Sequence, residues 1–191
     1  IAMYPEDKQK EVPYPMSRKN PFVMPILKWV GGKRQLLDSI NPLIPECSTY
    51  YEPFIGGGAV LFGRQPNKAV INDSNEELIN VYRMIKEEPE ELMAALSAHK
   101  EQNCEEYYYT VRAWDRDKET YQTRTNVERA ARIIYLNKTC YNGLFRVNSS
   151  GEFNSPWGRY KNPNITNEAI SVGTSAITTF SMTFCVVMPS N

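Results

Sequence analysis

The chain has 191 residues, with Lys+Arg 22 against Asp+Glu 22, 41% hydrophobic residues and 12% aromatic residues, a composition typical of soluble globular proteins. This length can bury a core without disulfides, and no run approaches the roughly 18 apolar residues that span a bilayer, so membrane-spanning, collagen-like and disordered chains are excluded. The four cysteines have no C-x-x-C spacing and there is one histidine, so we expect neither a disulfide scaffold nor a metal site. A reducing cytoplasm fits this cysteine usage best.

The first part of the chain predicts an arm followed by a strand, a turn and a helix. Residues 1–24 mix charges with prolines and have no apolar stretch, so we interpret them as a loose arm rather than a secretory signal. Tyr50 to Phe54 is an aromatic-rich run that ends in Gly56-Gly57-Gly58, and the apolar residues from Ala59 to Phe62 could start a helix.

A second strand and several helices follow. Ala69 to Ile71 is a short apolar run, and Ser74 followed three residues later by Glu77 predicts a capping box. Apolar residues at helical spacing predict helices over 76–85 and from Pro89 onward. This alternation of strands and helices is typical of an α/β fold.

The later part of the chain predicts one further helix and a hairpin. Residues 127–136 have a helical pattern, whereas Phe145 to Phe153 has two short alternating arms around Ser149-Ser150-Gly151, which predicts a β-hairpin.

Charge is unevenly distributed although the net charge is zero. Residues 130–165 carry five cations against one anion, a net of 5 − 1 = +4, whereas residues 86–106 carry two cations against seven anions, a net of 2 − 7 = −5. This asymmetry indicates either that a basic face binds a polyanion while an acidic face is solvated, or that both are ordinary solvated faces.

The glycine turn Gly56-Gly57-Gly58 and Asp73 form the pattern of a nucleoside site. Glycines allow the backbone to approach a ligand, and an acid after the next strand accepts hydrogen bonds from ribose hydroxyls. The turn lacks the G-x-G-x-x-G pattern that binds a diphosphate, so a cofactor without a diphosphate fits better than NAD. The alternative is a turn required for packing and an aspartate that caps a helix.

Five segments then occur in a characteristic order. They are Lys28-Trp29-x-Gly31-Gly32-Lys33, Tyr51-Glu52-Pro53-Phe54-x-Gly56-Gly57-Gly58, Asn72-Asp73-x-Asn75, Asn142-Gly143-Leu144-x-Arg146-x-Asn148 and Gly151-x-Phe153-Asn154-x-Pro156-x-Gly158-Arg159-Tyr160-Lys161. Together they resemble the Dam-type DNA adenine N6-methyltransferases, over residues 25–165.

The resemblance implies a Rossmann-like sheet that binds S-adenosylmethionine, with an inserted helical and β-hairpin DNA-recognition domain. The implied cofactor-binding residues are Trp29, Lys33, Glu52, Phe54, Gly56, Gly58 and Asp73. The implied DNA-binding residues are Lys28, Asn142, Leu144, Arg146 and Asn148. The expected partner is double-stranded DNA, with GATC as the expected site, and the expected assembly is a monomer without a metal.

The resemblance also implies a division of the chain. We expect an arm over 1–24, the first part of the cofactor-binding catalytic domain over 25–85, the recognition insert over 86–165, and an incomplete return to the catalytic domain over 166–191. Within the last segment, Thr174-Ser175-Ala176 and the strand ending at Met188-Pro189-Ser190-Asn191 resemble later family segments.

One family motif is not found in this sequence. The family places Asp-Pro-Pro-Tyr after the insert, to hold the adenine amino group and stack on the flipped base, and residues 166–191 contain no such motif. We therefore expect no catalytic residue within the 191 residues. The leading hypothesis is a DNA adenine N6-methyltransferase, and the alternatives are a catalytically inactive DNA- or cofactor-binding module and a Rossmann-like enzyme with a small-molecule substrate.

Overall fold

The computed structural model of the chain describes residues 25–166 and 181–186. The predicted arm over 1–24 and the family-like segments at 174–176 and 188–191 lie outside the described residues. In the described part, a small parallel sheet packs with helices around one hydrophobic core. The predicted α/β class is confirmed in this coarse sense.

Three parallel strands form the sheet. They are β1 (Tyr50–Glu52), β2 (Lys68–Asp73) and β3 (Ser181–Val186), in the order β1-β2-β3. The central strand β2 is the most buried, and Ala69 and Ile71 have no exposed surface. Parallel strands end at the same edge of the sheet, so the turn after β1 and the end of β2 lie side by side.

Seven α-helices occur in the described residues. They are α1 (Leu37–Ile40), α2 (Ala59–Arg64), α3 (Glu76–Glu87), α4 (Pro89–Glu101), α5 (Glu105–Arg112), α6 (Lys118–Thr123) and α7 (Asn126–Thr139). Short 3-10 turns lie at Lys33–Leu36, Asn41–Leu43, Ala113–Arg116 and Tyr141–Gly143. The helices predicted over 76–85, from Pro89 and over 127–136 are confirmed as α3, α4 and α7.

Helix α7 is the centre of the helical part. It is buried from Ala130 to Asn137 and packs against both α3 and α4. The hydrophobic core therefore continues from residues before position 86 to residues after it. The division between a catalytic part and an insert at that position stays a prediction.

The start of α3 differs from the predicted capping box. Asn75 is the N-cap residue, and its side chain accepts a hydrogen bond from the Leu78 N–H at 3.0 Å. The Asn75 N–H in turn donates to Asp73 Oδ1 at 3.1 Å, so Ser74 lies within this turn and not at the cap. The prediction of a capping box at Ser74 is wrong.

A capping box does occur at the start of α7. There the Thr125 side chain accepts from the Glu128 N–H at 3.2 Å, and the Thr125 N–H donates to Glu128 Oε2 at 2.8 Å. These reciprocal bonds satisfy two N–H groups that the helix itself leaves unpaired.

The predicted hairpin is present as a short turn with two arms. Val147 and Phe153 form an antiparallel bridge, and the Asn148 N–H donates to the Glu152 carbonyl at 2.9 Å. Gly151 has φ 77°, a left-handed conformation that favours glycine in the turn. The role of the hairpin in DNA recognition stays a prediction.

Candidate functional site

A pocket lies at the edge of the sheet where β1 and β2 end. The loop 29–33, the turn 54–57 and Asp73 line a cavity of about 190 Å³. Small-molecule sites usually enclose roughly 300–1,000 Å³, so the described residues enclose only part of such a site. Five predicted cofactor residues line the pocket, namely Trp29, Lys33, Phe54, Gly56 and Asp73.

Asp73 connects the glycine turn to the first turn of α3. Its Oδ2 accepts from the Gly56 N–H at 3.0 Å, while its Oδ1 accepts from the Asn75 N–H at 3.1 Å. Each carboxylate oxygen has a second lone pair, so the half-buried group can still accept hydrogen bonds from a ligand hydroxyl. The carboxylate therefore shapes the pocket and offers acceptors to it.

Two glycines of the turn need left-handed backbone and close approach. Gly56 has φ 50°, and a Cβ there would lie 3.1 Å from Trp29 Cδ1. Gly58 has φ 72°, and a Cβ there would lie 2.7 Å from the Tyr82 hydroxyl oxygen. Gly58 does not line the cavity but allows α2 to begin directly behind it.

Tyr82 supports the turn from within the core and is not among the predicted site residues. Its hydroxyl donates to the Gly56 carbonyl at 2.9 Å, and its ring is 2% exposed. Burial, with Glu52 and Asp73 nearby, raises the pKa of Tyr82, so the hydroxyl remains a donor. In the sequence it is one more apolar position on the inner face of α3, so nothing there distinguishes it from core packing.

Asn137 holds the Lys28–Trp29 loop against the end of α7, and it too is absent from the predicted site residues. Its Oδ1 accepts from the Lys28 N–H at 3.0 Å, and its Nδ2 donates to the Lys28 carbonyl at 2.8 Å. Its Nδ2 also donates to the Gly143 carbonyl at 3.0 Å. A polar residue within the buried run of α7 is the signal that could have drawn attention to it.

Glu52 lies behind the pocket rather than in its lining. Its side chain is buried at 6% exposure, and Oε2 has no hydrogen-bond partner among the described residues. Burial raises the pKa of Glu52 from an ordinary 4.5 to about 7, although a hydrogen bond from Tyr50 and the charge of Lys33 act in the opposite direction. Its role as a cofactor residue stays a prediction.

Glu52→Gln is expected to stabilise the fold increasingly as pH rises. Because the folded-state pKa of Glu52 lies above its unfolded value, this group lowers stability as pH rises from about 4.5 to about 7. Above about pH 7 the ionised Glu52 lowers the free energy of unfolding by roughly 3 kcal/mol, a loss that the neutral glutamine side chain does not cause.

Denaturant unfolding of both proteins across this pH range measures the effect. Burial lowers the pKa of His99 to about 4, so this group makes the protein more stable as pH rises. Because His99 is present in both proteins, its effect cancels in the difference between the unfolding free energies of variant and wild type. Glu46→Gln, at an exposed position, is the control and should give a constant difference. A constant difference for Glu52→Gln would contradict the prediction.

The predicted DNA-binding residues lie on and beside the hairpin. Lys28, Asn142, Leu144 and Arg146 are exposed, whereas Asn148 is half-buried. The Asn148 side chain bonds within the turn: Oδ1 accepts from the Ser150 and Glu152 N–H groups at 3.0 and 2.9 Å, and Nδ2 donates to Glu152 Oε2 at 2.7 Å. In this structure Asn148 therefore shapes the hairpin.

Arg146 is held in one orientation by Asn154 on the opposite arm. Its Nε donates to Asn154 Oδ1 at 2.8 Å, and its Nη2 donates to the Asn154 carbonyl at 3.4 Å. The side chain stays exposed, so an oriented guanidinium faces solvent from the hairpin.

The basic stretch 130–165 does not form one cationic surface. Arg132 is buried, and its Nε donates to the Val111 carbonyl at 3.0 Å while its Nη2 pairs with Asp115 Oδ2 at 2.8 Å. Lys138 donates to the Ile26 carbonyl, and burial followed by the charge of Lys28 lowers the pKa of Lys138 to about 8. The exposed cations of the stretch are Arg146, Arg159 and Lys161.

Residues 29–181 match the family model described as D12 class N6 adenine-specific DNA methyltransferase. The chain belongs to this family. It is 52% identical over 147 residues to the Type II methyltransferase M1.LlaDCHI of Lactococcus lactis subsp. cremoris, covering 76% of this chain and 51% of that protein. The DNA adenine methylase of Escherichia coli (strain K12) is 39% identical over 139 residues, covering 72% of this chain and 48% of that protein.

A third relative shows a similar partial coverage. The Type II methyltransferase M.MjaIII of Methanocaldococcus jannaschii is 43% identical over 163 residues, covering 76% of this chain and 56% of that protein. The chain thus spans about half the length of these curated relatives.

No group of three or more His, Cys, Asp or Glu side chains in residues 25–166 and 181–186 could hold a metal ion. Within the same ranges, no helix is both long enough and apolar enough to cross a bilayer.

Proposed function

We propose that the chain provides the cofactor pocket and the recognition hairpin of a DNA adenine N6-methyltransferase that acts on GATC in duplex DNA. One observation carries this proposal: the loop 28–33 lines the pocket and also contacts the hairpin region. Trp29 lines the pocket and stacks on Phe145 of the hairpin with ring centroids 4.6 Å apart. Lys28 lies beside Gly143, where an added Cβ would be 2.6 Å from Lys28 Cδ.

The pocket residues suit S-adenosylmethionine, a nucleoside cofactor without phosphates. Asp73 offers carboxylate oxygens for ribose hydroxyls, the left-handed Gly56 allows close backbone approach, and Trp29 offers an aromatic wall. Lys33 is a cation at the rim that suits the carboxylate of the cofactor. The cofactor supplies an activated methyl group when bound, and these residues would bind and orient it.

The hairpin residues suit the edges of bases in the major groove. The guanidinium of Arg146 is oriented by Asn154, and arginine bonds to two acceptors of guanine at once. Asn142 and Leu144 are exposed beside it and offer an amide and an apolar contact. Lys28 connects this surface to the pocket loop.

The same proposal includes a cytoplasmic monomer that requires no metal. The free state of all four cysteines suits a reducing compartment. A second candidate is a binding module without transfer activity, because the sequence after the hairpin contains no Asp-Pro-Pro-Tyr motif.

Binding measurements test the proposal directly. S-adenosylhomocysteine is titrated into the 191-residue protein by calorimetry, and fluorescence anisotropy compares a GATC duplex with a scrambled duplex at one salt concentration. We expect cofactor binding and tighter binding to GATC. A folded protein that binds neither S-adenosylhomocysteine nor DNA would refute both the proposed enzyme and the binding module.

Arg146→Ala is expected to reduce the preference for GATC over scrambled DNA by about 5- to 100-fold, because a bidentate base contact contributes about 1–3 kcal/mol of discrimination. Lys161→Ala, at another exposed cation after the hairpin, is the matched control. A contact to phosphate weakens all duplexes about equally, so the control should keep the preference. Equal losses on both duplexes for Arg146→Ala would assign Arg146 to the phosphate backbone.

A further inference from the structure

Phe145 lies between the candidate pocket and the hairpin. Its ring stacks on Trp29 at a centroid distance of 4.6 Å with 25° between the planes. On the hairpin side, it meets the ring of Phe153 edge-on at 5.5 Å. Phe145 therefore contacts one residue of the pocket wall and one residue of the hairpin's inner side.

Both neighbours of Phe145 are themselves held in place. Trp29 packs against the glycine turn, since a Cβ on Gly56 would be 3.1 Å from Trp29 Cδ1. Phe153 is 1% exposed, and its N–H donates to Asp115 Oδ2 at 2.8 Å. A continuous set of packed groups thus joins the glycine turn to the base of the hairpin.

We propose that Phe145 is a positioning residue that couples occupancy of the pocket to the order of the hairpin, an inference that rests on the proposed function. A ligand against the Trp29 wall restrains that ring, and the stacked Phe145 transmits the restraint to Phe153. The hairpin is then already ordered when DNA binds, which lowers the entropy cost of that second step. Thermodynamic linkage requires DNA to tighten the pocket by the same factor.

The coupling is measured as a ratio of cofactor affinities. S-adenosylhomocysteine is titrated into the protein alone and into the protein saturated with a GATC duplex. We expect DNA to tighten cofactor binding about fivefold or more in the wild type, in the usual range for coupled sites. Phe145→Leu should bring the ratio close to one, whereas Phe145→Tyr, which keeps the ring, should retain it.

A second readout follows the hairpin itself and needs no DNA. Adding S-adenosylhomocysteine should slow amide hydrogen exchange over residues 145–153 in the wild type and in Phe145→Tyr, but not in Phe145→Leu. Val147→Ala changes an exposed hairpin residue outside the pocket lining and should behave like the wild type. Thermal unfolding checks each variant, and Phe145→Met replaces Phe145→Leu if the leucine variant does not fold.

The outcomes separate this inference from the proposed function. A wild-type protein that binds both ligands with a ratio of one overturns the coupling and leaves the function intact. A Phe145→Leu protein that keeps the wild-type ratio also overturns it. A folded wild-type protein that binds neither ligand overturns the function and the coupling together.

Discussion

Asp73→Ala is expected to weaken binding of S-adenosylmethionine at least about 100-fold. The substitution removes the acceptor proposed for the ribose, and a hydrogen bond to a charged group contributes about 1.5–3 kcal/mol. It also releases the Gly56 N–H from Asp73 Oδ2, a bond of 3.0 Å that holds the glycine turn in the pocket. Together these losses correspond to about 3 kcal/mol or more, which is a hundredfold in affinity.

The same substitution should also lower the free energy of unfolding, by about 2 kcal/mol. The Gly56 and Asn75 N–H groups both lose their acceptor, and partly buried donors without partners carry a desolvation cost. Calorimetry and denaturant unfolding on the same samples separate the two effects. Asp73→Asn keeps one side-chain oxygen and should fall between wild type and Asp73→Ala in both measurements.

Asp38→Ala provides a matched control for a surface carboxylate. Asp38 is exposed in the short helix α1 and does not line the pocket. Its replacement should leave cofactor affinity unchanged. A folded Asp73→Ala protein with wild-type affinity would remove Asp73 from the cofactor site.

The elements with a clear hydrophobic period were predictable, and those without one were not. Helices α3, α4 and α7 carry apolar residues at a spacing of 3.6 residues, the pattern that predicts a helix, and all three bury such residues in the core. Helix α6 has no fully buried residue and only Tyr121 half-buried, so its sequence carries no such period. Helix α5 has three consecutive tyrosines and begins after Cys104, which is not a usual cap residue.

Several pocket-lining residues were predictable because they lie in short motifs, namely the loop 29–33 and the segments that follow β1 and end β2. The supporting residues were not, because their contacts join distant parts of the chain. Asn137 bonds to Lys28, 109 positions away, and Tyr82 bonds to Gly56, 26 positions away. A linear charge count also cannot detect burial, which is why Arg132 and Lys138 were assigned to the basic stretch although they bond inside the protein.

A polypeptide of these 191 residues is expected to methylate GATC at a negligible rate, although we propose that it binds the cofactor and duplex DNA. The family resemblance assigns the target adenine to an Asp-Pro-Pro-Tyr motif, which this sequence does not contain. Without it, no proposed residue holds the amino nitrogen in line with the methyl donor. Orientation of reacting groups accounts for roughly 7–11 kcal/mol of a barrier in favourable cases, so its loss reduces the rate by many orders of magnitude.

The exposed surface of β1 also fits the expectation that methyl transfer needs residues beyond these 191. β1 is an edge strand of the described sheet, so its outer backbone groups have no strand partner among the described residues. Two large apolar side chains are exposed at this strand, Tyr51 within it and Phe54 just after it. About half of each matched relative lies outside the aligned region, so these proteins contain further residues that have no counterpart in the alignment with this chain.

A transfer assay with tritiated S-adenosylmethionine tests this expectation on protein whose mass is verified as 22.0 kDa. A longer chimera, extended with the corresponding C-terminal part of the Lactococcus lactis relative, should methylate GATC. The resemblance implies an Asp-Pro-Pro-Tyr motif in that extension, and replacing its aspartate by alanine should abolish transfer while keeping cofactor binding, because Asp73 and Trp29 are unchanged. A 22.0 kDa species that methylates GATC as fast as the chimera would show that residues within the 191 orient the adenine by themselves.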